Sequence, residues 1–321
     1  MDISDDLIEF YNAGCVQSAA QSWWDLFKAD AQILRQPDER ANILFCIEEC
    51  YAQENWDWVA QFWDLTEDLY NLGLWNEYAQ VDRACLAAAQ ALGKEEMQAA
   101  IHSELGWLAI QRGEFERARE WIESSQRIYT RLGDVHGQLI ARRYSATLAM
   151  AEQAWASART QLEALLDSLR ALIVSGDAKA RAFGARQRDI AHDSLGIVLH
   201  QLNDFVGAER ELQLGLAGAP ARGPLAIATS LLNLGKLRLS QARNDEAKKN
   251  FTDCWTTCRT HEFRAIGADA QFYLAQLARA RGETQLALEL ARECWRVYQS
   301  LGMTTSVQKT AEFIAAVLNE K

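Results

Sequence analysis

Proline is scarce. The chain has three in 321 residues, against a usual frequency of about 5%, and all three (Pro37, Pro220 and Pro224) sit at expected loop positions. Long helices joined by short turns fit this scarcity, whereas a strand-rich fold with many Gly/Pro turns does not. Long apolar runs are missing too. No uninterrupted stretch approaches the roughly 20 residues of a membrane-spanning helix, and the opening MDISDDLIEF is acidic where a signal peptide is basic. Seven cysteines, an odd number, fit reduced thiols better than a disulfide framework and point to the cytoplasm.

Basic residues are sparse in one region only. Residues 1–100 hold 5 Lys or Arg against 19 Asp or Glu, net −14; the remaining 221 hold 28 against 25, net +3, which gives −11 for the whole chain. Nucleic acid, whose phosphates need a basic surface, is a poor ligand for the first third. A basic protein surface suits it better. Catalytic signatures are absent as well: there is no G-x-x-x-x-G-K-[ST], G-x-G-x-x-G, H-E-x-x-H, G-x-S-x-G or C-x-x-C. The expectation is a protein that is not an enzyme and uses no cofactor.

The chain does contain a repeat. Leu105-Gly106, Leu195-Gly196, Leu234-Gly235 and Leu274-Ala275 are each followed, seven residues after the small residue, by a turn, and five later by an alanine. The turns are Gly113-Glu114-Phe115, Asn203-Asp204-Phe205, Ala242-Arg243-Asn244 and Gly282-Glu283-Thr284; the alanines are Ala118, Ala208, Ala247 and Ala287. A fifth copy has Ala146, Gln153-Ala154-Trp155 and Ala158, and a diverged sixth has Glu48, Asn55-Trp56-Asp57 and Ala60. Successive alanines lie 58, 40, 50, 39 and 40 apart, a period near forty. The long intervals contain an extra helix near 74–92 and a longer linker and helix near 169–202. A helix pair of this kind cannot bury its apolar face alone, so neighbouring pairs must stack.

The pattern resembles the tetratricopeptide repeat, most closely in Leu195-Gly196-x2-Leu199…Ala208-x3-Leu212 and Leu234-Gly235-x2-Arg238…Ala247-x3-Phe251. The lengthened repeat, with second helices ending in Leu92-Gly93, Leu132-Gly133 and Leu301-Gly302, is similar to those of kinesin light chains, LGN/Pins polarity adaptors and the sensor halves of STAND ATPases. The resemblance implies an all-α, right-handed α-solenoid of antiparallel helix pairs, about 16 helices in all. It divides into capping helices over 1–38, repeats over 39–302 and a capping helix over 303–321.

In that family the first helix of each pair lines the concave groove, with positions three before, one after and four after the small residue pointing inward. Carried onto this chain, these are Ser103, Trp107 and Ile110; Arg143, Thr147 and Met150; Asp193, Ile197 and His200; Leu232, Lys236 and Leu239; Phe272, Gln276 and Arg279. The family's clamp for the carboxylate tail of chaperones needs Lys and Asn at the first two positions. That pattern is missing here, so the implied ligand is an amphipathic helix or an extended peptide with apolar anchors. Six of the 11 Trp fall within the first 75 residues; Trp56, Trp58 and Trp63 cannot all face one side of one helix, which makes them docking candidates for a basic, apolar partner.

Other clusters read more simply as structure. Cys254, Cys258 and His261 share a helical face at metal-ligand spacing, but Cys254 falls at a small buried position; Cys46 and Cys50 have no His nearby. His192-Asp193 resembles an HD pair without its further ligands, and His192 and His200 could share a face. The sequence therefore points to a cytoplasmic adaptor or regulator that binds a protein or peptide, with no nucleic acid and no membrane involved. It leaves open a sensor of small ligands or signal peptides, a self-assembling scaffold and the oligomeric state.

Overall fold

The computed structural model describes residues 5–301 and 303–319, with side chains from residue 14 onward. Gly302, the last of the Leu-Gly endings, and the final two residues of the expected C-terminal cap lie outside the described residues, as do residues 1–4. Sixteen α-helices and two 3-10 segments account for the described chain, and no strand is present among the described residues. In order the helices are α1 (Asp5–Ala29), α2 (Pro37–Ala52), α3 (Trp56–Gln61), α4 (Thr66–Asn71), α5 (Trp75–Ala91), α6 (Glu95–Gln111), α7 (Phe115–Leu132) and α8 (Val135–Ala151). They continue as α9 (Trp155–Ser175), α10 (Ala178–Gln201), α11 (Phe205–Arg222), α12 (Pro224–Ser240), α13 (Asn244–His261), α14 (Arg264–Ala280), α15 (Thr284–Ser300) and α16 (Thr304–Asn319). The chain divides into two compact units, Met1–Ala141 and Arg142–Lys321. Within each, sequential helices pack as antiparallel pairs; none of the described helices is long and apolar enough to cross a membrane.

One backbone device sets the period. A residue with positive φ recurs near every twentieth position: Glu54, Gly73, Gly93, Gly113, Gly133, Gln153, then Asn203, Gly223, Ala242, Glu262 and Gly282. Most of these close a helix in the left-handed conformation. After α5, the Gly93 amide donates to Gln90 O (3.2 Å) and the Lys94 amide to Ala89 O (2.8 Å), the paired bonds that satisfy the last carbonyls of a helix. The next helix begins within two residues. One helix and its turn thus occupy about twenty residues, and two of them make the repeat of forty.

Packing follows from register. Each second helix buries four positions at spacing i, i+4, i+7 and i+11: Ala118, Ile122, Ser125 and Tyr129 in α7, and Ala247, Phe251, Cys254 and Cys258 in α13. The second position meets the small residue of the first helix. A Cβ added to Gly106 would lie 2.8 Å from Ile122 Cγ1, one on Gly196 2.5 Å from Leu212 Cγ, and one on Gly235 would run into the Phe251 ring.

The same register corrects the sixth copy. Helix α5 buries Tyr78, Asp82, Cys85 and Ala89, forty residues before the α7 set, so the stretch 74–92 is the second helix of a regular repeat. Its first helix is the segment from Trp56 to Asn71, broken by the 3-10 turn Phe62–Leu65. Glu48, aligned as a buried small residue, is exposed and accepts a hydrogen bond from Gln80 (2.7 Å), and the left-handed turn falls at Glu54 rather than Asn55.

Two substitutions separate packing from backbone. Gly235→Ala forces a methyl into the Phe251 ring and is expected to cost about 2 kcal/mol. Ala242→Gly, which relieves a left-handed non-glycine, is expected to gain about 0.5–1 kcal/mol. Denaturant midpoints check both, and equal effects of the two changes would contradict the assignment.

Candidate functional site

The repeat dictates which side chains remain available. In the second unit the positions one and four after the small residue are all half-buried: Thr147 and Met150, Ile197 and His200, Lys236 and Leu239, Gln276 and Arg279. The position three before it is mostly consumed by packing. Asp193, Leu232 and Phe272 are buried, and only Arg143 stays partly accessible, donating from Nε to Gln187 Oε1 (3.1 Å) with its guanidinium over the Tyr144 ring.

Three expected groove residues of this unit are therefore internal. Asp193 accepts a hydrogen bond from Arg222 (2.8 Å) and another from Ser230 (2.9 Å), in space left by Gly215, so it joins α10 to α11 and α12. A carboxylate in a buried register must be paired, and this one is. Phe272 lies in the core with Tyr298 and edge-on to Phe313 of α16, 5.4 Å between centroids. Arg279 lies over the same Phe313 ring. His200, tilted against Phe205, is pushed below the usual histidine range by burial and then by Lys236.

In the first unit, Ser103 and Ile110 are buried while Trp107 keeps a half-buried ring. Three rings surround it edge-on: Tyr70 at 4.9 Å, Trp75 at 5.9 Å and Tyr78 at 6.5 Å. One helical turn before Trp107, Glu104 accepts a hydrogen bond from Trp63 Nε1 (3.0 Å), so Trp63 and Trp107 flank one carboxylate. Asp82 lies beside Glu104, wholly buried, with neither carboxyl oxygen accepting a hydrogen bond. Burial, then the neighbouring Glu104, pushes Asp82 well above the usual carboxylate range. Burial also raises Glu104 to about 7, opposed by Trp63, Asp82 and Tyr78 beside it. The cluster is an aromatic surface patch over two carboxyl groups held away from ionisation. The repeat spacing does not mark Tyr70, Tyr78 or Asp82 as site residues; the signal for Tyr78 and Asp82 is their forty-residue offset from Ala118 and Ile122.

The other tryptophans are less committed. Trp56 is half-buried edge-on to Tyr51 at 5.4 Å, and Trp58 is half-buried and tilted against Phe62 at 6.1 Å. Tyr51 also borders an apolar cleft of about 210 Å³ between α2 and α5, lined by Leu44, Ile47, Val81 and Ala84. The ligand-like clusters disperse. Cys254 and Cys258 are core thiols, whereas His261 is exposed and stacks on Phe263 (5.7 Å). His192 pairs with Glu211 (2.6 Å), not with the Asp193 contacts.

Neither protein-family models nor curated proteins yield a match to this chain. Solved structures do. A Rap protein complexed with Competence and Sporulation Factor matches at 12% identity and TM-score 0.60, covering 100% of this chain and 89% of that one. A STAND protein with a tetratricopeptide repeat sensor from Pyrococcus horikoshii matches at 15% identity and TM-score 0.52, covering 98% of this chain and 50% of that one. The fold is that of tetratricopeptide-repeat proteins. The apo quorum sensor NprR from B. thuringiensis is similar as well, at 10% identity and TM-score 0.54, with 99% of this chain and 89% of that chain covered.

The Glu104 shift has a signed consequence. Because the folded group holds its proton up to about pH 7 while the unfolded one releases it near 4.5, stability falls as pH rises between those values and stays reduced above them. Glu104→Gln is therefore expected to raise the thermal midpoint at pH 8 by roughly 3 °C and to change it little at pH 5. An equal change at both pH values would contradict the buried, protonated carboxyl.

Proposed function

We propose that this chain is a non-catalytic, tetratricopeptide-type adaptor that binds a protein or peptide partner and regulates a separately encoded effector in the cytoplasm. The accessible groove positions and the aromatic patch of the first unit are the binding elements. The observation that carries this reading is the Trp107 cluster. An accessible indole, ringed by three aromatic side chains and one turn from a desolvated carboxyl pair, suits a basic side chain set among apolar ones. A guanidinium or ammonium over an aromatic face gains about 0.5–2 kcal/mol, and its charge would draw Glu104 back toward ionisation. The net −14 of residues 1–100 extends the same preference over the surrounding surface.

A second reading has support in the similar folds. The Rap protein carries a bound factor and NprR is a quorum sensor, which favours a signal-peptide or small-ligand sensor over a large-protein adaptor. Stabilisation by short peptides, with no polypeptide retained from lysate, distinguishes it.

Affinity capture with the full chain tests the first reading. Retention of a basic polypeptide is expected at low salt and loss at high salt, as the screening length falls from ~10 Å at 0.1 M to ~3 Å at 1 M. Trp107→Ala should weaken retention about tenfold, the loss of one aromatic anchor worth about 1.4 kcal/mol. Undiminished retention by that variant would remove Trp107 from the site. Capture of a second copy alone would move the reading to self-assembly.

A further inference from the structure

The second unit contains a small cavity of about 70 Å³ whose wall includes two of the groove positions, Lys236 and Phe272. It lies among α12, α14, α15 and α16, with Lys236, Asp269, Tyr273, Tyr298, Ser306 and Lys309 in its wall. The donors there outnumber the acceptors. The Lys236 ammonium sits 5.4 Å from the Tyr273 ring centre and the Lys309 ammonium 5.5 Å from that of Phe272; neither makes an ion pair or hydrogen bond among the described residues. The single carboxylate, Asp269, is engaged by the Tyr298 hydroxyl, which donates to it at 2.7 Å. The Tyr273 and Ser306 hydroxyls have no hydrogen-bond partner among the described residues. Ser306 stands in the first turn of α16.

Two cations and two hydroxyls without a hydrogen-bond partner among the described residues thus line a space that holds one carboxylate, which leaves its wall with an excess of positive charge. Burial lowers the Lys236 ammonium below the usual lysine range; Asp269 opposes this and Lys309 adds to it. The wall carries two ammonium groups to one carboxylate, so a single bound anion would balance it. The flanking Phe272 and Tyr273 rings add an apolar rim, and the space admits a group of a few heavy atoms, since water occupies about 30 Å³ in the liquid.

We infer that this cavity binds a carboxylate group on an apolar or aromatic carrier, with Lys236 and Lys309 pairing with its oxygens and the Ser306 and Tyr273 hydroxyls donating to it. It differs from the family's clamp for chaperone tails, whose lysine would stand at Leu232 or Phe272. The inference does not depend on the Trp107 site, which is in the other unit. The carboxylate could be a chain terminus or an acidic side chain.

Calorimetric titration of the full chain with three dipeptides tests it: N-acetyl-Ala-Phe with a free carboxylate, N-acetyl-Asp-Phe amide, and N-acetyl-Ala-Phe amide. At least one carboxylate probe should bind at least about tenfold more tightly than the neutral one, the loss expected on removing a charged hydrogen-bonding partner. Which one does so identifies a terminus or a side chain. Lys236→Met should cost the carboxylate probe a similar factor. Because Lys236 is half-buried, Lys309→Gln on the exposed side of α16 supplies the same test without touching the core. Equal binding of all three probes, inorganic phosphate binding more tightly than either carboxylate, or unaltered carboxylate binding by Lys309→Gln would each overturn the assignment.

Discussion

Two helices can approach only as closely as the residue at their contact point allows, and in this protein that residue is small in every well-formed pair. Gly106 faces Ile122, Gly196 faces Leu212 and Gly235 faces Phe251. Once that contact is fixed, the turn must reverse the chain in two or three residues so that the fourth, seventh and eleventh positions of the second helix fall on the same side. Left-handed residues that close most of these helices perform the reversal, and five such positions among the described residues accept the conformation without glycine. Since a non-glycine residue there costs roughly 1–2 kcal/mol, the pairing it permits must outweigh that cost at each turn.

The same contact decides where a ligand can be held. A first helix has one face against its partner and another against the preceding pair, so positions one and four after the small residue are left between packing and solvent. Residues three before it are drawn inward, as Asp193, Leu232 and Phe272 are. A polar side chain in that row must find partners inside the unit, and Asp193 does so with Arg222 and Ser230. A charged residue in that row, as Asp193 is, therefore serves cohesion, and one in the next row, such as Lys236, stays half-buried.

Much of the fold was legible in the sequence because the repeat is written in small residues and turns, which are local signals. The Gly106-to-Ala118 spacing sufficed to place α6 and α7, and the Leu-Gly endings marked the reversals between repeats. The first repeat was harder to see. Its second helix has Tyr78 and Asp82 where others have alanine and an aliphatic residue, and its first helix is broken at Phe62–Leu65, so both landmarks were missing and Glu48 took a place it does not occupy. The site residues were legible only as rows. Nothing in a spacing says that Trp63 will reach Glu104 from forty-one positions away, or that Phe313 will close over Phe272, since both depend on how separate helices meet.

Each unit brings a pair of like ionisable groups close together. In the first unit, burial keeps Asp82 and Glu104 from ionising where a cation would let them. In the second, Lys236 and Lys309 flank a cavity that holds one carboxylate, Asp269, which accepts from Tyr298. Packing alone would favour an apolar residue at the Asp82 position, because burying a carboxyl group without full hydrogen bonding costs stability. Residues 122 and 162, which occupy the Asp82 register in neighbouring repeats, are Ile and Leu, so the repeat tolerates the apolar choice. The Asp82 carboxyl is therefore a cost that the repeat itself does not require, and the two units differ in sign, with acids clustered in the first and ammonium groups in the second.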